Sequence, residues 1–231
     1  MRRSQIIRYS LFMCCLSAGA IAISILYLDL PVANFFQQAE LSTVYTYSRE
    51  ITNIGYSIHY FTLALLGLIF SKFLHPKVSY FKQKINLEQN SQILKWSVLT
   101  LKCLLIIGII LNILKALIGR LRPHASNNFY NLNFNALTTE SHWHSFPSGH
   151  AQVLFTVATL AYLVWPRHKY LFLISAIVFA FTRVTIHQHF LSDILAGALM
   201  GHLGTLWLYH LQPVAPLGTF ESEQPQNKES T

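Results

Sequence analysis

Three separated groups of residues have the types and spacing for chemistry on an anion. Lys115 and Arg122 close one long apolar run, Ser148-Gly149-His150 opens another, and Arg183, His189 and Asp193 lie at the junction of two more. Lys115, Arg122 and Arg183 offer a point charge and two forked sets of donors suited to tetrahedral oxygens. Ser148 and Gly149 stand at a helix start, where unsatisfied N–H groups and the helix dipole favour negative charge. Glycine there lets the backbone come close. The anion these groups suit is a phosphoryl group. His189 and Asp193 are four residues apart, which puts them on one helical face. A carboxylate in that position fixes the imidazole tautomer and leaves the other nitrogen free to attack. His150, on a different helix, is placed to act as an acid on a leaving oxygen. A nucleophilic histidine, an acid histidine and a cationic cradle make up a metal-free phosphoryl-transfer site.

The elements that must position these residues are membrane spans. Of 231 residues, 11% are charged and 52% hydrophobic, against about 25% charged in a typical soluble domain. That excludes a soluble domain, and the apolar content excludes a disordered chain. A spanning helix needs about 20 mostly apolar residues. Six runs approach that length, at 6–28, 57–74, 94–118, 148–165, 170–186 and 191–211. The fold expected is therefore all-α, a bundle of six transmembrane helices with its active site at the outer membrane–water interface. Residues 1–212 form the domain, and 213–231, rich in Glu, Gln, Ser and Pro, read as a disordered cytoplasmic tail. The first run resembles a signal peptide but continues past the Ala18-Gly19-Ala20 site, so it reads as a retained helix.

Basic residues set the orientation. Arg2, Arg3 and Arg8, then Lys72, Lys77, Lys82, Lys84 and Lys95, then Arg167 and Lys169 all fall on one side of a six-span chain. That side is expected to be cytoplasmic and to carry both termini. The phosphoryl site then faces outward, toward the periplasm if the membrane is a bacterial inner membrane. The net charge of +8 comes without a basic stripe interleaved with aromatics, so nucleic acid is not an expected partner. Cys14, Cys15 and Cys103 lie in apolar runs and form no disulfide framework.

The motifs resemble those of a known family. Lys115, six residues, Arg122-Pro123; Pro147-Ser148-Gly149-His150; and Arg183, five residues, His189, three residues, Asp193 are similar in order and spacing to the three signatures of the type 2 phosphatidic acid phosphatase superfamily. The third signature usually has Ser before its arginine; here Thr182 keeps the hydroxyl. The resemblance implies that His189 is a nucleophile forming a phosphohistidine and Asp193 its orienting carboxylate. It implies that His150 is the general acid and then the base that activates water. Lys115, Arg122, Ser148, Gly149 and Arg183 become the phosphate cradle, and no metal or cofactor takes part. The family's soluble vanadate haloperoxidases are set aside by the six spans.

The substrate class expected is a lipid phosphate monoester or pyrophosphate: lipid A, undecaprenyl pyrophosphate, phosphatidylglycerophosphate or phosphatidic acid. A lipid phosphotransferase and a non-catalytic lipid-phosphate transporter are the alternatives. Outside the motifs, Arg120 reads as a solvated loop arginine, with substrate binding as the alternative. His124 and His187 read as loop histidines. His142-x-His144 has the spacing of a zinc pair, but no Cys or suitably spaced carboxylate completes it. Trp143 and Tyr130 fit an interfacial belt, Lys102 a snorkelling lysine, and residues 31–38 either an interfacial helix or a loop helix.

Overall fold

Apolar runs in a bilayer have no water to satisfy their backbone groups, and the helix is the local solution. The structure, a computed structural model, describes residues 3–38, 43–74, 87–126 and 132–215. Its elements are α1 (Arg3–Ile23), α2 (Asp29–Gln38), α3 (Thr43–Ile51), α4 (Ser57–Ile69), α5 (Leu87–Ile118), α6 (Gly149–Val164), α7 (Lys169–Thr185) and α8 (Leu191–Leu211). A π-helical turn, Ser24–Leu28, runs α1 directly into α2. Among the described residues there is no sheet, and a single bridge pairs Arg120 with Phe134. The chain is thus all-helical over those residues, as its composition predicts.

Among the described residues, five helical stretches are long and apolar enough to cross a membrane: Arg3–Gln37, Thr43–Phe73, Asn90–Ile118, Pro166–Thr185 and Leu191–Leu211. The other candidate, α6, has 16 residues and falls short of that length. It is the central element, packed on α5, α7 and α8. Its buried side chains Gln152, Thr156 and Thr159 are paired, with Gln152 Nε2 donating to Thr156 Oγ1 at 3.0 Å and Thr159 Oγ1 bonded to His202 Nδ1 at 2.9 Å.

The first run is longer than its apolar core predicts. The helix passes through the acid Asp29 and continues as 31–38, which is helical, with Val32 and Phe36 packed on the cluster of α6, α7 and α8. α1 lies antiparallel to α8: Trp207 Nε1 donates to Ser10 Oγ at 2.9 Å near one end, and the Ser192 amide donates to Asp29 Oδ1 at 3.0 Å near the other. Lys102 Nζ donates to Gln212 Oε1 at 2.6 Å, so its head reaches the bundle end where α8 finishes. The Pro166–His168 turn, with Arg167, lies at that same end, between the finish of α6 and the start of α7.

After α8 the chain folds back. Val214 is buried against Trp96, and the Ala215 carbonyl accepts from Trp96 Nε1 at 3.1 Å. Residues 216–231, most of the expected tail, lie outside the described residues, as do Arg2, Lys77, Lys82, Lys84 and Tyr130.

Candidate active site

The finish of α5 sets the first part of the site. Gly119 caps the helix with φ +60°, its amide bonded to the Lys115 carbonyl at 2.8 Å. A β-carbon there would stand 1.8 Å from the Asn135 carbonyl oxygen, so only glycine fits. This turn leaves Lys115 on the last helical turn and carries the chain toward Arg122. Lys115 is buried, and its Nζ donates to the His144 carbonyl at 2.6 Å.

The start of α6 sets the second part. Ser148 is the N-cap, fully buried, with its amide bonded to the Asp193 carbonyl at 2.9 Å. Gly149 and His150 follow in the first turn. His150 faces Tyr56 edge-on, with ring centroids 4.8 Å apart, and its Nε2 is buried with no hydrogen-bond partner.

The junction of α7 and α8 sets the third. Arg183, on the last turn of α7, donates from Nη1 to Thr52 Oγ1 at 3.1 Å, and its carbonyl accepts the His189 amide at 3.1 Å. Asp193 sits at the third position of α8, where Oδ2 accepts from the Phe190 amide at 2.8 Å and so closes the helix start. His189 Nδ1 lies 3.5 Å from the same Oδ2, an ion-pair distance without hydrogen-bond alignment. The carboxylate thus stands on the Nδ1 side of the ring, and Nε2 is the nitrogen it leaves unengaged. Burial pushes the His189 imidazole down to about 3; Asp193 opposes the shift, and the charges of Lys115 and Arg122 add to it. The ring is therefore held neutral at ordinary pH.

The eight residues read from the motifs come together at one end of the bundle. His150 is within electrostatic reach of Arg183, His189, Arg122 and Lys115. Arg122 Nη1 donates to Gln188 Oε1 at 2.6 Å, while the buried Nε atoms of Arg122 and Arg183 have no partner. Unpaired buried donors on two guanidiniums are costly alone and are what an arriving oxyanion would satisfy. Two spaces adjoin the cluster. An apolar cleft of about 360 Å³ runs between α4, α5 and α6 from Lys115, Gly149 and His150 past Asn112 to Leu104. A polar chamber of about 580 Å³, lined by Arg49, Glu50, Asn53, Tyr56 and Gln188, lies on the Arg183 side.

Arg120 is not a solvated loop arginine. It is 1% exposed, and it pairs with Asp193 Oδ1 at 2.6 Å and with Asp29 Oδ2 at 2.8 Å. The bridge to Phe134 and the cap at Gly119 turn its side chain inward, where two acids offset its burial. Asp29, Thr52, Tyr56, Ser145, Gln188 and Ser192 also meet the cluster, and the motifs mark none of them. An acid such as Asp29 at the end of an apolar run is costly, and that cost is the one signal that could have found it. His187 lies in the α7–α8 loop but is buried. His142 Nε2 pairs with Glu140 at 3.0 Å, and His144 Nε2 bonds the Thr138 carbonyl at 2.9 Å. Among the described residues, no group of three His, Cys, Asp or Glu side chains is arranged to hold a metal ion.

Helices this long and apolar define an integral membrane protein, with a cluster of basic side chains at one end of its bundle. The chain belongs to the PAP2 superfamily, whose sequence pattern matches residues 96–216, more than half its length, and this bears out the resemblance drawn from the three motifs. The chain is 34% identical over 94 residues to a lipid A 1-phosphatase of Rhizobium johnstonii, covering 41% of this chain and 38% of that protein. It is 39% identical over 90 residues to the putative undecaprenyl-diphosphatase YbjG of Escherichia coli, covering 38% of this chain and 44% of that one. The bacitracin transport permease protein BcrC of Bacillus licheniformis matches at 25% over 116 residues, 48% of this chain and 57% of that one. The matched segment thus spans about two fifths to under three fifths of these relatives' lengths. The fold resembles the PAP2-type phosphatidylglycerolphosphate phosphatase of Bacillus subtilis, at TM-score 0.58 and 21% identity, covering 89% of this chain and 94% of that one. It also resembles Aquifex aeolicus LpxE, at TM-score 0.54 and 19% identity, covering 79% and 95%.

Proposed function

We propose that the protein is a membrane lipid phosphatase that hydrolyses a lipid phosphate monoester or pyrophosphate through a phosphohistidine. The observation that carries this reading is His189, buried and neutral, with Asp193 on its Nδ1 side and the basic side chains of Lys115, Arg122 and Arg183 close by. In the first step Nε2 of His189 attacks phosphorus, and the bond from phosphorus to the leaving lipid oxygen breaks. Burial and the neighbouring cations hold the His150 imidazole down to about 3 before substrate arrives; the bound phosphate offsets those cations, so that His150 takes up a proton and gives it to that oxygen. In the second step His150 takes a proton from water, the hydroxide attacks phosphorus, and the P–N bond breaks to release phosphate. The cradle carries the charge that a metal would otherwise supply, so the reaction needs none.

The apolar cleft beside His150 supports a substrate whose hydrocarbon tail stays in the bilayer. The relatives named for lipid A and for an undecaprenyl diphosphate make these two the favoured candidates, ahead of phosphatidylglycerophosphate and phosphatidic acid. The membrane is a bacterial inner membrane, crossed six times if the short, central α6 spans it with the others. The site faces the periplasm and the termini the cytoplasm, a placement supported by the basic residues at the far end of the bundle.

Phosphate release from purified protein in detergent, given each of these lipids, tests the reading. Release that His189→Ala abolishes supports it, and equal release by His189→Ala removes the nucleophile. Release only with an added acceptor lipid would make the protein a phosphotransferase. The likeness to BcrC, a bacitracin transport permease protein, favours transport as a second reading, and lipid-phosphate movement across vesicles without any phosphate release would establish it.

A further inference from the structure

Behind the nucleophile lies a chain of buried charges that the phosphatase reading does not use. Asp193 Oδ2 accepts from Ser145 Oγ at 2.5 Å and from the Phe190 amide at 2.8 Å, while Oδ1 takes Arg120 Nη1 at 2.6 Å. Arg120 stacks its guanidinium 4.3 Å above the Phe190 ring and reaches Asp29 Oδ2 through Nη2 at 2.8 Å. Asp29 is held in turn by Ser24 Oγ at 2.8 Å and by the Ser192 amide at 3.0 Å. Asp29, Arg120 and Asp193 are each no more than 1% exposed.

Two features separate this arrangement from ordinary helix anchoring. Arg120 is paired to Asp193 on the oxygen that does not face His189, so it acts on the carboxylate and not on substrate. The group also holds two carboxylates to one guanidinium. Arg120 alone would neutralise Asp193 and weaken its pull on the imidazole. Asp29 restores one net negative charge to a buried site, where charge interactions are strong. A ring that is phosphorylated on Nε2 and keeps its Nδ1 proton is cationic, and that surplus charge offsets it. We infer that Asp29 and Arg120 are positioning residues for the nucleophile, forming a relay His189–Asp193–Arg120–Asp29 that orients the Asp193 carboxylate and keeps its charge available to the phosphorylated ring. Asp29 comes from the junction of α1 and α2, outside residues 96–216 that match the family. The assignment rests on the phosphatase reading.

Asp29→Asn keeps the side-chain shape and removes the charge. In the purified full chain it lowers kcat about 10-fold, the low end of the effect of groups that orient a reacting residue, because Asp193 and Arg120 stand between Asp29 and the ring. KM stays unchanged because the cradle is untouched. The inhibition constant for vanadate, which binds as a mimic of the phosphoryl group in transfer to His189, rises by a similar factor, while that for inorganic phosphate does not. A merely structural role would not separate these pairs. Folded Asp29→Asn with wild-type kcat, or with kcat and KM falling together, overturns the relay. If Asp29→Asn does not fold, Ser24→Ala decides, since it removes only one donor to Asp29. A several-fold lower kcat at constant KM supports the relay, and wild-type kcat overturns it. Wild-type protein that releases no phosphate from any lipid overturns the phosphatase reading together with the relay, whereas full activity in Asp29→Asn overturns the relay alone.

Discussion

Gly197 of α8 lies directly against the backbone of Ser148 at the start of α6: a β-carbon at position 197 would stand 2.2 Å from the Ser148 carbonyl oxygen. One turn earlier on α8, the Asp193 carbonyl accepts the Ser148 amide at 2.9 Å. The helix that carries Asp193 and the helix that opens at Ser148 and Gly149 are therefore joined backbone to backbone. Gly197→Ala must push the two apart. Overpacking of this kind costs about 1–3 kcal/mol. The expected result is a lower thermal midpoint in detergent together with reduced activity, read from a melting curve and a phosphate-release assay on the same preparation. An unchanged midpoint would show that the contact yields freely.

His189 links stability to pH. Its folded-state value is depressed to about 3, against an ordinary value of 6.5. Between those values the unfolded chain takes up a proton that the folded chain does not. The stabilisation is therefore fully present above pH 6.5 and is lost as pH falls toward 3. The slope for one such group is about 1.4 kcal/mol per pH unit. His189→Gln does not titrate, so its thermal midpoint should fall less than that of wild type between pH 7 and pH 4. Parallel midpoint curves for the two proteins would mean that the imidazole is not held neutral.

Activity should survive EDTA and should be inhibited by vanadate. In the proposed mechanism Lys115, Arg122 and Arg183 supply the charge that a metal would otherwise bring. Vanadate bonded to His189 in a trigonal bipyramid imitates the transition state. Loss of turnover on chelation, restored by zinc, would overturn the metal-free mechanism, and insensitivity to millimolar vanadate would count against His189 as nucleophile.

Orientation can be read by labelling. In a background with Cys14, Cys15 and Cys103 replaced, Glu140→Cys lies in the exposed loop at the site end and His168→Cys in the turn at the opposite end. A membrane-impermeant thiol reagent applied to spheroplasts should modify Glu140→Cys at once and His168→Cys only after permeabilisation. The reverse pattern would place the phosphate site in the cytoplasm.

The sequence by itself determined the helices and the family motifs. Apolar runs with few charges leave the backbone no other local solution in a bilayer, so the run at 191–211 coincides with α8, and that at 57–74 with α4 and the turn after it. Lys115, Arg122, Ser148, Gly149, His150, Arg183, His189 and Asp193 were legible because their roles depend on short spacings within one helix or helix end. What only the tertiary structure decided depends on contacts between distant segments. Arg120 read as solvated because nothing near it in sequence offsets its charge; its partners Asp29 and Asp193 lie 91 and 73 residues away. The apolar count for the first run stopped before Asp29, since no local term rewards carrying a carboxylate into a helix interior. Arg120 and Ser192 supply that reward, and the helix continues to Gln38. Thr52 and Tyr56 carry no motif of their own, and they meet the cradle only because α3 and α4 pack beside Arg183 and His150.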